Sequence, residues 1–330
     1  RGRFGPNLPR FSRTHGRVWI SFWCCLGRFG TGAMEPDLPP LFSAGHARSL
    51  GLSPGGIRRL PHRRPAHGVR VAAEQSSLAV DCAALLHVLP AGSAVSHVSA
   101  LRLWGADLPW QLEAEQRIHV VTTQRSWRPH RHDVVAHYCG QAHLGTTTLD
   151  GVVLTTPEQT WLHLSPQLPL NELIVLGDAL VRRTNPLSTL SAMANVIDKT
   201  HKMKGLARAR AALPRCRTRT DSNQESRLRL LLEDAELAVP TVNHLVYDGE
   251  TFIAMVDLSY PDLKIAIEYD GDVHRTKQLT WSKDIDRRES LRAHGWIVLV
   301  VEAGQFRDYP ERIVARVRAA IRERQAQLLR

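Results

Sequence analysis

Cysteine is scarce in this chain. Its five residues, at positions 24, 25, 82, 139 and 216, show none of the paired spacing that a zinc centre or a disulfide framework requires. A reducing, cytoplasmic setting is therefore expected. Long apolar runs are also missing: Val18 to Leu26 is a run of nine, where a bilayer span takes about 20 residues. No membrane association is expected. Acidic residues are absent from two stretches, since residues 1–33 carry six arginines and no acid, and residues 199–220 carry eight Lys or Arg and no acid. The chain starts at Arg1, and Met34 precedes a stretch that reads as the start of a domain. Residues 1–33 are accordingly read as a non-native or disordered extension, with a signal peptide ending at Thr31-Gly32-Ala33 as the competing reading. Without those arginines the formal charge falls from +11 to about +5, still basic.

What is present is concentrated near the C-terminus. The segment Phe252-Ile-Ala-Met-Val-Asp257-Leu258, a turn around Tyr260-Pro261-Asp262, and Leu263-Lys-Ile-Ala-Ile-Glu268-Tyr-Asp270-Gly271 read as a β-hairpin. Centred between Asp262 and Leu263, it sets Asp257 opposite Glu268, with β-carbons roughly 5 Å apart. Asp270, two residues on, shares their face, while Ile265, Ile267 and Tyr269 take the other. Acids this close repel unless a cation lies among them, and oxygen ligands suit Mg²⁺ or Mn²⁺. Around the hairpin the pattern predicts a helix opening at Ser222 to Glu225, a strand over Val242 to Tyr247, a charged helix over Trp281 to His294 stopped by Gly295, a strand over Trp296 to Val301, and a final helix from Tyr309 to about Ala326. The order is helix, three strands, helix, strand, helix.

Glu225, Val256-Asp257, Ile267-Glu268-Tyr269-Asp270-Gly271, His274 and the string Asp284-x-x-Arg287-x-x-x-Leu291-x-x-x-Gly295-Trp296 carry a family likeness. Residues 222–324 resemble the very-short-patch-repair-like (Vsr-like) endonucleases, a branch of the PD-(D/E)XK restriction-endonuclease-like superfamily. The resemblance implies metal binding by Asp257 and Glu268 with Asp270 assisting. It also implies a lysine two positions after the second acid, where this chain has Asp270. The Vsr-like branch works without that lysine and uses histidine, which casts His274 in proton transfer near neutral pH. Lys264 and Lys277 are off the matching position. Glu225 fits two roles, completing or orienting the metal shell and closing a capping box with Ser222. Asp284 and Arg287, one helical turn apart, fit a supporting pair behind the acids or an ordinary surface ion pair.

Upstream, residues 34–74 read as a winged-helix-like module, with helices over Ser43 to Leu50 and Ser53 to Leu60, a basic group at Arg58, Arg59, Arg63 and Arg64, and a wing strand at His67 to Val71. Its likeness is to the N-terminal part of AbiEi-type antitoxins. Residues 75–198 read as a mixed α/β domain in which Ala94 to Gly105 and Val152 to Thr160 resemble segments of the same antitoxin-like family. His130, Arg131, His132, His137 and His143 share no regular spacing and read as basic surface. Residues 199–221 read as a basic linker whose Lys202, Lys204, Arg208 and Arg210 would join Arg58 and Arg59 in neutralising DNA phosphates.

The fold class is thus α/β (α+β), with the endonuclease-like domain at 222–330. Two functions follow as expectations: a Mg²⁺- or Mn²⁺-dependent DNA endonuclease needing no small-molecule cofactor, or a non-catalytic DNA-binding regulator of the antitoxin type.

Overall fold

The computed structural model describes residues 38–129, 131–271 and 278–330. The extension at 1–33, His130, His274 and Lys277 lie outside the described residues. The architecture is mixed α/β, with three separate sheets and helices packed on them.

The first sheet is small. Strands β1 (Leu41–Ser43), β2 (His62–Arg63) and β3 (Val69–Ala72) pair antiparallel in the order β1-β3-β2, with helices α1 (Ala44–Ser49) and α2 (Pro54–Arg59) between the first two. Each helix is started by a serine whose hydroxyl accepts a backbone N–H, Ser43 from His46 and Ser53 from Gly56. With six residues each, these helices are shorter than the sequence pattern predicts. Arg58 and Arg59 are exposed on the last turn of α2.

The second sheet is five-stranded and mixed. It contains β4 (Ala94–Val95), β5 (Ile118–Thr122), β6 (Val134–Tyr138), β7 (Thr146–Leu149) and β8 (Val152–Thr155) in the order β6-β5-β4-β8-β7. Pairs β5–β6 and β4–β8 are parallel, whereas β4–β5 and β7–β8 are antiparallel. Helix α3 (Leu78–His87) leads into it, α4 (His97–Trp104) follows β4 directly, and α5 (Trp110–Glu113) precedes β5. Helices α6 (Pro157–Leu164), α7 (Leu170–Leu180), α8 (Leu190–Asp198) and α9 (Leu206–Ala212) then build a largely helical core around Trp161, Leu173, Leu176 and Met193.

Residues 199–221 are folded into that core rather than extended as a linker. Leu206, Ala209, Ala212 and Cys216 are buried within it. Gly205 crosses Ser165 and Pro166 so closely that a β-carbon there would lie 2.4 Å from Ser165 Oγ and 2.6 Å from Pro166 N, and its φ of +84° is left-handed. Arg208 donates to the carbonyls of Ser165 and Leu168, both at 2.7 Å.

The third sheet carries the carboxylates. After α10 (Asn223–Asp234) come β9 (Thr241–Asp248), β10 (Thr251–Tyr260), β11 (Ile265–Asp270), α11 (Gln278–Ala293), β12 (Ile297–Glu302), α12 (Ala303–Asp308) and α13 (Pro310–Leu328). The sheet order is β12-β11-β10-β9, with β11 and β12 parallel and the other pairs antiparallel. The parallel pair requires the crossover that α11 supplies. Leu228 and Leu232 of α10 and Ile313 and Val317 of α13 pack with Ile265 and Ile267. Leu291 of α11 and Trp296 pack with Ala266 on the other side. Helix α10 also faces backward: its Leu230 joins the core around Trp161. Beside it, Arg229 makes a 2.8 Å ion pair with Asp178 of α7, both side chains having no exposed surface.

Candidate functional site

The hairpin register matches the sequence pattern. Leu258 faces Ile267, Ser259 faces Ala266 and Tyr260 faces Ile265, the register that sets Asp257 opposite Glu268. The turn is a short 3₁₀ segment, Pro261–Leu263, ended by Lys264 in the left-handed conformation at φ 48°. Tyr269 N–H donates to Asp257 Oδ2 at 2.9 Å, so the strand carrying the second acid also orients the first. Burial pushes the Asp257 carboxyl up to about 7, with the Glu225 and Glu268 charges adding to the rise against the Tyr269 N–H and Arg287.

Glu225 caps the start of α10 and also reaches the neighbouring strand. Its N–H donates to Ser222 Oγ at 3.2 Å, and its Oε2 accepts from Asp221 N–H at 3.0 Å, which is capping. The same Oε2 accepts from Asn243 Nδ2 at 3.1 Å on the neighbouring strand. The carboxylate is buried, which raises its pKa, and it acts electrostatically on Asp257. Asn243, reached from β9, is a site residue that the sequence pattern passes over. It also ties the site to the basic segment, since its Nδ2 donates to Arg219 O.

Glu268 is 1% exposed. Its Oε2 accepts from Arg287 Nη2 at 3.2 Å and from Arg288 Nε at 3.0 Å, and Arg288 Nη2 reaches Asp270 Oδ2 at 3.2 Å. Arg287 thus meets the second acid directly, and Arg288, absent from the sequence-based set, bridges the second acid and Asp270. Among the described residues, Glu268 Oε1 is buried with no hydrogen-bond partner. An anionic oxygen left in that state is costly unless a cation or donor meets it. Asp284 lies on α11, and its side chain is outside the described residues.

The basic residues divide between places. Arg208 holds carbonyls, Arg210 is exposed on α9, and Lys202 and Lys204 line an open cleft of about 1040 Å³ in the middle part of the chain. That cleft has histidines at its base. His97, His137 and His163 line it, together with Arg125 and Arg128. His137, read from the sequence as basic surface, belongs instead to a half-buried cluster. Parallel strands β5 and β6 put His119 and His137 on one face, diagonal across the pair, with His137 Nε2 and His119 Nδ1 3.1 Å apart. The rings of His97 and His137 stack at 3.5 Å, and His163 stacks on His97 at 5.1 Å.

His97 sits at the junction of β4 and α4 with φ at +52°, a conformation that costs a non-glycine residue on the order of 1–3 kcal/mol. Burial is the first cause holding all four imidazoles below their usual pKa, His137 at about 3 and His163 at about 4. His97, His119 and His137 each offer one ring nitrogen within 4.8 Å of the others, the one such group of His, Cys, Asp or Glu among the described residues. Their signal in the sequence is a histidine inside an apolar strand, Ile118-His119-Val120, where a solvated face is not available.

No family model matches the chain, and no solved structure matches it. Two curated proteins are similar: uncharacterized protein Rv2248 of Mycobacterium tuberculosis strain ATCC 25618/H37Rv and uncharacterized protein MT2308 of strain CDC 1551/Oshkosh. Each is 26% identical over 169 residues, 51% of this chain and 62% of the relative. The chain therefore spans less than two thirds of the length of these relatives.

Proposed function

We propose that this chain is a divalent-metal-dependent DNA endonuclease whose reaction centre is the acid-bearing face of the third sheet. The observation that carries the reading is the juxtaposition of Asp257 and Glu268, one position beyond the Leu258–Ile267 pair, with both Glu268 and Glu225 acting on Asp257. The residues fit a hard cation. The donors are carboxylate oxygens, one of them the buried and unpartnered Oε1 of Glu268, and Asp257 is driven toward its neutral form by burial and its acidic neighbours. Asp257 and Glu268, assisted by Asp270, would hold Mg²⁺ or Mn²⁺. Such an ion polarises a phosphate and lowers the pKa of bound water. Tyr269 N–H and Arg287 fix the two acids in place, and Asn243 fixes Glu225. His274 is the proposed proton carrier. Arg58, Arg59 and Arg210 are exposed cations available for phosphates.

A second reading, a DNA-binding regulator with an inert nuclease-like domain, draws on one observation. Arg287 and Arg288 already neutralise Glu268, and Arg288 also holds Asp270. A sheet compensated this way stands without metal.

The deciding experiment is cleavage of supercoiled plasmid and mismatched duplex with Mg²⁺ or Mn²⁺ against EDTA, beside Asp257→Asn and Glu268→Gln. Metal-dependent nicking that both substitutions remove supports the nuclease. Duplex binding with no cleavage, indifferent to metal and to either substitution, favours the regulator.

A further inference from the structure

The middle part of the chain holds a second constellation, built on a different sheet from the acids and independent of the reading proposed for them. We propose that His97, His119 and His137 form a binding site for a divalent transition metal of the zinc class. Its remaining coordination position opens to the basic cleft, where a phosphate-bearing anion binds.

The argument begins with spacing. Imidazole nitrogens around zinc lie about 2.0–2.1 Å from the ion, so ligand atoms of a tetrahedral site are roughly 3.3 Å from each other. His137 Nε2 and His119 Nδ1 stand 3.1 Å apart, and His97, His119 and His137 each have a ring nitrogen within 4.8 Å of one from each of the others.

Ring chemistry agrees. Imidazole nitrogen donors suit zinc and its neighbours rather than Mg²⁺. Behind His119, Nε2 is buried without a hydrogen-bond partner and faces Glu115 Oε2 at 3.8 Å. A carboxylate behind a metal-bound imidazole selects the tautomer that leaves Nδ1 free to bind. Ser96 Oγ meets His97 Nδ1 at 2.9 Å and limits that ring's rotation.

Three protein ligands leave a tetrahedral metal one position short, the pattern of sites that take an exogenous ligand. His97 and His137 line the cleft, so that position faces it. Arg125, Arg128, Lys202 and Lys204 line the same cleft. Four cations lining one cleft favour an anion, and phosphate oxygens suit both a metal and guanidinium groups.

The test uses the full chain, stripped with a chelator and dialysed against Zn²⁺, with Co²⁺ as the spectroscopic substitute. One Zn²⁺ per chain is expected, with strong cobalt absorption of a low-coordinate nitrogen site. His137→Gln and His119→Gln should each weaken zinc binding by about 100-fold. His163→Gln, stacked on the cluster but outside the ligand set, and Asp257→Asn should leave it unchanged. Folded wild-type protein that binds no stoichiometric zinc overturns the proposal. So does zinc binding lost in Asp257→Asn but kept in His137→Gln. If a histidine variant does not fold, the wild-type cobalt spectrum decides, because only weak absorption is expected from an oxygen-rich octahedral site. Inorganic phosphate should shift that spectrum, and a spectrum unmoved by saturating phosphate overturns the anion part.

Discussion

The backbone N–H of Tyr269 donates to the carboxylate of Asp257 across the hairpin, at 2.9 Å. Tyr269 follows Glu268 directly in β11, so one strand both supplies the second acid and aims the first. A slip of one residue in register would break the bond and turn Glu268 to the opposite face.

Asp257 makes stability depend on pH. Its carboxyl is raised to about 7 in the folded protein, against roughly 3.9 in an unfolded chain. The unfolded state therefore binds fewer protons than the folded state between these values. The relative stabilisation is full below about pH 4 and is lost as pH rises through 7, on the order of a few kcal/mol. Urea denaturation at pH 5 and pH 8 should show wild type losing stability with pH, and Asp257→Asn losing markedly less.

Glu268→Gln should uncouple two properties. Arg287 and Arg288 lose a charge partner but retain some solvent contact, so stability should fall by only about 1–3 kcal/mol. If the nuclease reading holds, cleavage should fall by at least about 100-fold. Parallel melting curves and plasmid nicking assays measure the two.

Gly205→Ala should be severe for so small a change. The new methyl would meet Ser165 and the Pro166 backbone at 2.4–2.7 Å, in a left-handed conformation. A loss of about 2–4 kcal/mol is expected, read from the urea midpoint. Gly151→Ala shares the positive φ but meets nothing within 4 Å, and should cost about 1 kcal/mol.

Breaking the buried pair from one side should be worse than removing it. Asp178→Asn leaves buried Arg229 with Glu233 alone, and Arg229→Met leaves buried Asp178 with no cationic partner in the pair, each costing up to about 3–5 kcal/mol. The double variant should recover part of the loss, and a double-mutant cycle of denaturation energies gives the coupling.

The hairpin was legible because two local signals agree: alternation fixes faces, and a turn containing Pro261 fixes the centre. Gly295 marked a helix end by the same local logic, and its φ is +79°. Arg288 was less visible, since a helix periodicity does not say which of two adjacent arginines turns inward. The histidine cluster was harder still. His97, His119 and His137 come from a turn and two strands whose adjacency depends on the order β6-β5-β4, and no spacing along the chain encodes that order. The basic segment misled for another reason: its charge suggested solvent, whereas Leu206, Ala209, Ala212 and Cys216 supply a buried stripe among the arginines.

The Asp178–Arg229 pair also governs how this protein can be dissected. Expression of residues 222–330 alone would keep Arg229 and discard Asp178, while baring Leu230, which belongs to the core around Trp161. Such a fragment would carry a sticky apolar face beside a guanidinium left with Glu233 as its remaining acid partner, and its insolubility would say nothing about its chemistry. Fragment work should therefore begin upstream of α7 or carry substitutions at Arg229 and Leu230.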